Sequence, residues 1–297
     1  MNYNENLYIC ENHTNDCVIL GSKKGFKIYH TNPFKFNFER NIDGGIDIIK
    51  MLYRTNIIVF VGSIDDKTLI IWDDLKRKIV GKIILNNKIL NFELTREIII
   101  IVTINNLHIY TLNSMNLIRK IPTYANNYGV CCIYDEIICY PSEKIGNIRI
   151  LNYKDKINFT NIEAHFSKVK FITVSSNGQL IDSCSEKGTI IRIFKSFDGK
   201  LVKEFRRGLI PVNISQLKFS DDSKYLLCTS NKYTLHLYEI NSKNSIFIPL
   251  YSANKLYFNF LVYIIYFKKN KIIVISDKKY YSIEYKEEFK IIKEDTY

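Results

Sequence analysis

Proline and glycine are scarce in this chain: 5 Pro and 12 Gly among 297 residues. A strand-rich protein with so few of both has to build many of its turns from Asn and Asp, which tolerate turn geometry. Seven cysteines occur, at Cys10, Cys17, Cys131, Cys132, Cys139, Cys184 and Cys228. Their number is odd and no Cys-x-x-Cys pair exists, which argues against a disulfide framework and a zinc site. Reduced, half-buried thiols in a cytosolic protein are the expectation. Long apolar runs are missing too. The stretches 98–104 and 260–267 fall far short of the roughly 20 residues of a spanning helix, and the polar start, 1–16, has no signal-peptide core. The sequons at Asn12, Asn158 and Asn213 then carry no consequence. There is no glycine-rich phosphate loop, no His-Glu-x-x-His and no Gly-x-Ser-x-Gly. The acidic pairs Asp65-Asp66, Asp73-Asp74 and Asp221-Asp222 read as turn formers, and no nucleophile stands with a base. Neither enzymatic chemistry nor a cofactor or metal is expected.

What is present is strand-forming. Hydrophobic residues make up 46% of the chain and it carries 21 Tyr and 18 Phe, with abundant Ile and Val, a composition that favours strands over helices. Short apolar segments alternate with polar turns. Leu180–Cys184, Ser185-Glu186-Lys187-Gly188, then Thr189–Phe194 is one such unit. Lys224–Cys228, Ser230-Asn231-Lys232-Tyr233, then Thr234–Tyr238 is another. Ser185 and Ser230 lie 45 residues apart, within the blade repeat of propellers. Division of the length by seven gives about 42 residues per unit. The expected fold is therefore all-β, a seven-bladed WD40-like β-propeller forming one domain over 1–297. Blades are expected near 5–47, 48–86, 87–124, 125–163, 164–206, 209–254 and 255–297. Runs such as Ile98–Val102 do not alternate, as strands covered on both faces do not. Trp72-Asp73 ends a strand as in many blades, and Trp72 is expected to pack.

The formal net charge is +12, which suits anionic partners as well as a lysine-rich coding bias. The cations that matter cluster in 162–238. His165, Ser185, Thr189 and Arg192 precede the adjacent pair Arg206-Arg207, and Ser230, Lys232, Thr234 and His236 follow. Guanidinium, hydroxyl, imidazole and ammonium are the donors that phosphate oxygens accept. Neighbours in an extended chain point to opposite sides, so Arg206 would serve His165, Ser185, Thr189 and Arg192. Arg207 would serve Ser230, Lys232, Thr234 and His236, and Gly208 would release the chain into the next blade. The competing reading is structural: salt bridges of the arginines with Glu204 or Glu186, and hydroxyl networks that brace turns. An imidazolium at His236 near pH 6 would strengthen phosphate binding.

Phe205-Arg206-Arg207-Gly208, Ala164-His165, Ser185–Phe194, Phe219–Ser223, Gly25–Tyr29, Asn32-Pro33-Phe34, Gly44-Gly45-Ile46, Met51–Asn56 and Ile71–Asp74 together resemble the PROPPIN family, also called the autophagy-related protein 18 or WIPI group. The similarity runs from about 18 to 240 and is weak in the last blade. It implies a seven-bladed propeller that binds phosphatidylinositol 3-phosphate and phosphatidylinositol 3,5-bisphosphate through two sites flanking the arginines. Carried over residue by residue, site one is His165, Ser185, Thr189, Arg192 and Arg206, and site two is Arg207, Ser230, Lys232, Thr234 and His236. Tyr233 stands where the family usually has Gly, and Asn231 where it usually has Asp. The family also inserts an apolar loop of its sixth blade into the bilayer. The matching segment is Ile246, Phe247, Ile248, Leu250 and Tyr251, which reads equally as the next strand. The family's longer loop after the second-blade Val-Gly, which helps recruit autophagy-related protein 2, is shortened here after Val61-Gly62.

The expected protein is a monomeric, cytoplasmic effector in autophagy or endolysosomal traffic. It would be recruited peripherally to phagophore, endosomal, vacuolar or other organelle membranes. The rival is a WD-repeat interaction scaffold with no lipid ligand. A nucleic-acid-binding propeller would be marked by base-stacking aromatics beside a basic groove, whereas the tyrosines here are spread through strands, so no nucleic acid is expected.

Overall fold

The computed structural model describes residues 8–31, 33–155, 159–241, 254–258, 262–268, 271–276, 279–285 and 290–296. Every regular element among them is a strand. The strands form seven antiparallel sheets, each of four strands consecutive in sequence. The fold is a seven-bladed β-propeller. Two compact units are distinguished, 1–121 with three sheets and 122–297 with four.

β-Branched, leucine and aromatic side chains fill the second and third strands of the blades. Ile98–Val102 is buried at every position, as expected of a run without alternation. Outer strands read differently: Lys78–Ile84 buries only Ile83 fully and exposes most of the rest. Asn and Asp do shape the turns, but mainly through side chains. Asp73 Oδ1 accepts the Lys76 N–H at 3.1 Å, Asp65 Oδ1 that of Lys67 at 3.1 Å and Asp222 Oδ1 that of Lys224 at 3.1 Å. The three acidic pairs thus carry the turn role read from the sequence. The left-handed positions went elsewhere: among the described residues, the non-glycine positions at positive φ include only Asn15 and Asp135 as Asn or Asp, and the others include Tyr53, Ser223 and Tyr233. Trp72 is half-buried against the blade 1–2 core, with its Nε1 donating to Asp74 Oδ1 at 3.3 Å.

Two blade boundaries need correction. Ile46 opens the first strand of blade 2 rather than closing blade 1, because it pairs with Gly62. The strand Asn254–Tyr257 completes blade 6 and does not begin blade 7, since Thr234 pairs with Tyr257 and His236 with Lys255. The blade 2 connection between Ile57–Gly62 and Thr68–Asp73 is short, as the sequence indicated. The segment 246–251, the candidate insertion loop, lies outside the described residues.

Blades 4, 5 and 6 position the residues of interest. Blade 5 consists of Val169–Val174, Leu180–Ser185, Ile190–Lys195 and Leu201–Arg206. One face packs Val169, Ile172, Ile181 and Phe194 on blade 4 residues such as Ile148 and Ile162. The other packs Cys184, Ile191, Ile193 and Phe205 on Leu226, Cys228 and Tyr238 of blade 6. At about 25 cal/mol per Å² of apolar area removed from water, such seams are the main source of stability.

Candidate anion-binding site

The pairing register decides where each arginine points. Within blade 5, Ser183 lies opposite Arg192, Arg192 opposite Glu204, and Ile190 opposite Arg206. Residues directly opposite share a face, so Ser183, Arg192, Glu204 and Arg206 lie on the face toward blade 4. Phe205, one residue on, belongs to the seam with blade 6. Arg207 continues that alternation and reaches blade 6. Its Nη2 donates to Ser230 Oγ at 2.6 Å and to Thr234 Oγ1 at 2.9 Å, and the two hydroxyls lie 3.1 Å apart. The backbone N–H of Arg207 is anchored on Thr189 O at 2.9 Å. The adjacent arginines thus lie on opposite faces, with Arg207 on the donors of blade 6.

Among the described residues, neither arginine meets a carboxylate. Glu204 instead pairs with Arg192, Nε to Oε2 at 2.8 Å, and Glu186 accepts from the Tyr128 hydroxyl at 3.4 Å. The structural role foreseen for the pair has gone to Arg192, which also donates from Nη1 to Ala164 O at 2.6 Å. Arg206 has no hydrogen-bond or ion-pair partner among the described residues. Arg207 Nε is buried with no acceptor, and a buried donor left unmet costs about 1–3 kcal/mol.

The remaining donors group as follows. His165 Nε2 lies 2.9 Å from Ser183 Oγ. Ser183 escaped the sequence reading, although it shares strand parity with Ser185. Ser185 is buried and Thr189 half-buried, and the carbonyl of Ser185 closes its turn on the Gly188 N–H at 3.0 Å. Lys232 is exposed, and its backbone N–H donates to Ser230 Oγ at 3.4 Å, the same hydroxyl that Arg207 engages. His236 is buried and stacks on Tyr238, with centroids 6.1 Å apart.

The two blade turns are built alike. In each, the N–H of the third residue after the serine closes on the serine carbonyl: Gly188 on Ser185 and Tyr233 on Ser230, both at 3.0 Å. Gly188 has φ 62° and Tyr233 φ 56°. The departure from glycine at 233 therefore leaves the turn intact and forces a tyrosine into the left-handed region.

One electrostatic expectation is overturned. Burial, then Arg207, then Lys255 hold the His236 imidazole down at about 3. Burial and Arg192 do the same to His165, also to about 3. Both rings are therefore held neutral at pH 6 in the unliganded protein. Neutral, each still offers a ring N–H donor. A third buried group, Asp182, has its carboxyl pushed up to about 8 by burial; it accepts the Thr173 N–H at 3.1 Å through Oδ1 while Oδ2 has no partner.

The arrangement gathers cations and neutral donors on one edge of blades 4–6, without an acceptor-rich counterpart. It suits a multiply charged anion. No helix among the described residues is long and apolar enough to cross a membrane.

Comparison with known proteins agrees with this picture. A sequence model of the PROPPIN family matches residues 8–248. SVP1-like protein 2 of Schizosaccharomyces pombe is 35% identical over 243 residues, covering 77% of this chain and 66% of that protein. Autophagy-related protein 18 of Dictyostelium discoideum is 29% identical over 247 residues, covering 80% and 66%. The chain thus spans just under two thirds of the length of these relatives. Among solved structures, Kluyveromyces lactis Hsv2 superposes with a TM-score of 0.86 at 24% identity, covering 98% of this chain and 99% of that one, which bears on the fold. With the family model spanning most of the chain and the Phe-Arg-Arg-Gly segment at the centre of its cationic edge, the chain belongs to the PROPPIN family.

Proposed function

We propose that this chain, acting as one domain over 1–297, is a phosphoinositide-binding membrane effector that reads phosphatidylinositol 3-phosphate and phosphatidylinositol 3,5-bisphosphate and performs no chemistry itself. The observation that carries the reading is the pair Arg206-Arg207. Two adjacent guanidiniums face different blades, neither meets a carboxylate among the described residues, and Arg207 keeps a buried N–H without an acceptor. A phosphate oxygen is the acceptor such donors match. Site one comprises Arg206 with His165, Ser185, Thr189 and Arg192, to which Ser183 is added. Site two comprises Arg207 with Ser230, Lys232, Thr234 and His236. Within site one Arg192 acts through position, since Glu204 already occupies part of its fork.

Membership of a family whose relatives are named autophagy-related proteins supports a role in autophagy or endolysosomal traffic, with peripheral recruitment from the cytoplasm. One neighbour in structure, an Atg21, is described in complex with the coiled-coil of Atg16; this favours a scaffold that presents protein partners at the membrane. The short blade 2 connection speaks against autophagy-related protein 2 as a partner here.

Flotation tests the lipid reading. Vesicles containing phosphatidylinositol 3-phosphate should carry the wild-type protein and plain vesicles should not. Arg206→Thr combined with Arg207→Thr should abolish flotation while the melting temperature moves by no more than a few degrees. Undiminished flotation of the double variant would sink the proposal.

A further inference from the structure

The edge that carries the arginines also bears large apolar residues at its tips. The connection from blade 5 to blade 6 is pinned at both ends: Arg207 N–H on Thr189 O at 2.9 Å and Val212 N–H on Lys187 O at 3.0 Å. Between the pins the chain stands away from the body, and a Cβ placed on Gly208 would meet nothing within 4 Å. At its tip are Leu209 and Ile210, 77% and 73% exposed. The preceding connection, from blade 4 to blade 5, is pinned in the same manner, His165 N–H on Gly146 O and Glu186 N–H on Lys168 O, both at 2.9 Å. Its tip is Phe166, 100% exposed. Isolated exposed hydrophobes need no explanation. Here three large ones crown two equivalent connections, each following directly on a residue of the phosphate sites, His165 or Arg207-Gly208. The turns of the same edge add exposed Ile145 and Tyr233.

We propose that Phe166, Leu209 and Ile210 form a two-pronged wedge that enters the interfacial and acyl region of an anionic bilayer beside the headgroups held by Arg206 and Arg207. The wedge rests on the phosphoinositide reading and adds to it a second, apolar component supplied by blades 4–6. It is distinct from the segment 246–251. Charge complementarity selects a lipid surface as the occupant: Lys187 and Lys232 are exposed at the turns that flank the prongs, Arg206 is unpartnered, and Glu186 is engaged by Tyr128. Apolar tips framed by cations fit the boundary between phosphate and acyl chain. The pinned backbone lets the tips enter without further ordering.

The test separates headgroup from bilayer. Leu209→Ser with Ile210→Ser, and separately Phe166→Ser, are compared with wild type for binding of soluble inositol 1,3-bisphosphate by calorimetry and of phosphatidylinositol 3-phosphate vesicles by flotation. Partial burial of one Leu and one Ile in hydrocarbon is worth about a tenfold change in affinity or more. Vesicle binding by the double variant should weaken at least tenfold while headgroup affinity stays within twofold. Phe197→Ser serves as control, because Phe197 is 73% exposed in the turn between the third and outer strands, on the opposite edge; it should change neither. Unchanged vesicle binding by both prong variants would overturn the wedge and leave this edge as a protein-docking face. Loss of headgroup affinity by the prong variants would also overturn it, by assigning those residues to the pocket. Failure of wild type to bind either ligand would instead remove the phosphoinositide reading, and the wedge with it.

Discussion

Tyr233 is the residue where sequence and backbone disagree most directly. A tyrosine at φ 56° bears the steric cost of the left-handed region, about 1–2 kcal/mol for a residue with a Cβ, and its ring is 42% exposed, so packing returns little. Tyr233→Gly should therefore raise stability by about 1 kcal/mol, read as a higher midpoint in urea with an unchanged slope. A lower midpoint would mean that the ring is held by something beyond the turn. Buried titrating groups supply a second expectation at this scale. His165 and His236 stay neutral down to about 3 in the folded state, whereas the unfolded chain protonates them near the ordinary imidazole value. Stability is then full above about pH 6.5 and is lost as pH falls from there, by up to about 1.4 kcal/mol per pH unit for each ring. Asp182 acts in the opposite sense. Its folded carboxyl holds a proton up to about 8 that the unfolded chain releases at ordinary carboxylate values, so stability is lost as pH rises from about 4 to 8. Melting curves between pH 5 and 8 should show His236→Gln flattening the acid side and Asp182→Asn raising the melting temperature more at pH 7.5 than at pH 5. Variant curves parallel to wild type would refute these assignments. That Arg207 would reach Ser230 and Thr234 was legible because strand parity assigns neighbours to opposite faces. The protonation of His236 was not legible, because burial and the proximity of Arg207 and Lys255 arise only when strands pair.

At the scale of elements, blade seams and ion pairs divide the work. Phe205 shows why the Phe-Arg-Arg-Gly segment starts with an aromatic: it is 1% exposed and packs on Tyr238, with centroids 4.7 Å apart. The hydrophobic member fixes the strand end from which both arginines depart. A polar seam holds the inner strands Ile46–Met51 and Asn91–Leu94, where Lys50 Nζ meets Glu93 Oε1 at 2.7 Å with little exposure of either side chain. Burial, the largest influence, would lower the Lys50 ammonium pKa, but Glu93, Tyr8 and Cys10 together outweigh it and raise the value. Glu93→Gln leaves that charge buried without a counter-ion and should cost about 3–5 kcal/mol, measured by denaturant unfolding; a loss under 1 kcal/mol would show water reaching the pair. Strand–turn–strand units could be read in the sequence because apolar runs and turn residues alternate. The strand Asn254–Tyr257 could not be assigned to its blade, because Asn-Lys-Leu-Tyr offers no periodicity that distinguishes the last strand of one sheet from the first of the next. Likewise Ser183 became visible only through cross-strand register, which also gave Glu204 to Arg192 and not to Arg206 or Arg207.

For the whole molecule, the net charge of +12 gives long-range attraction to any anionic surface, while the two arginine sites discriminate among surfaces. On the proposed reading, in which the two arginine sites bind phosphoinositide, these contributions respond differently to salt. Screening shortens to about 3 Å at 1 M ionic strength, which removes the general attraction first. Vesicles carrying only anionic phosphatidylserine should release the protein between 0.1 and 0.5 M salt, whereas vesicles with phosphatidylinositol 3-phosphate should retain a substantial fraction. Arg206→Thr or Arg207→Thr alone should leave weakened flotation, because the remaining site binds without the intramolecular second encounter that multiplies affinity by about 100-fold or more. Complete loss in either single variant would mean that both guanidiniums serve one pocket.

The division of labour between Arg206 and Arg207 is carried by nothing more than odd and even position along an extended chain. A single inserted residue between them would leave every donor in place and turn both guanidiniums toward one side, so that one of the two proposed sites would be lost without deleting any of its parts. The two proposed sites are therefore tied together as a single unit of four residues, and neither can shift along the edge without the other.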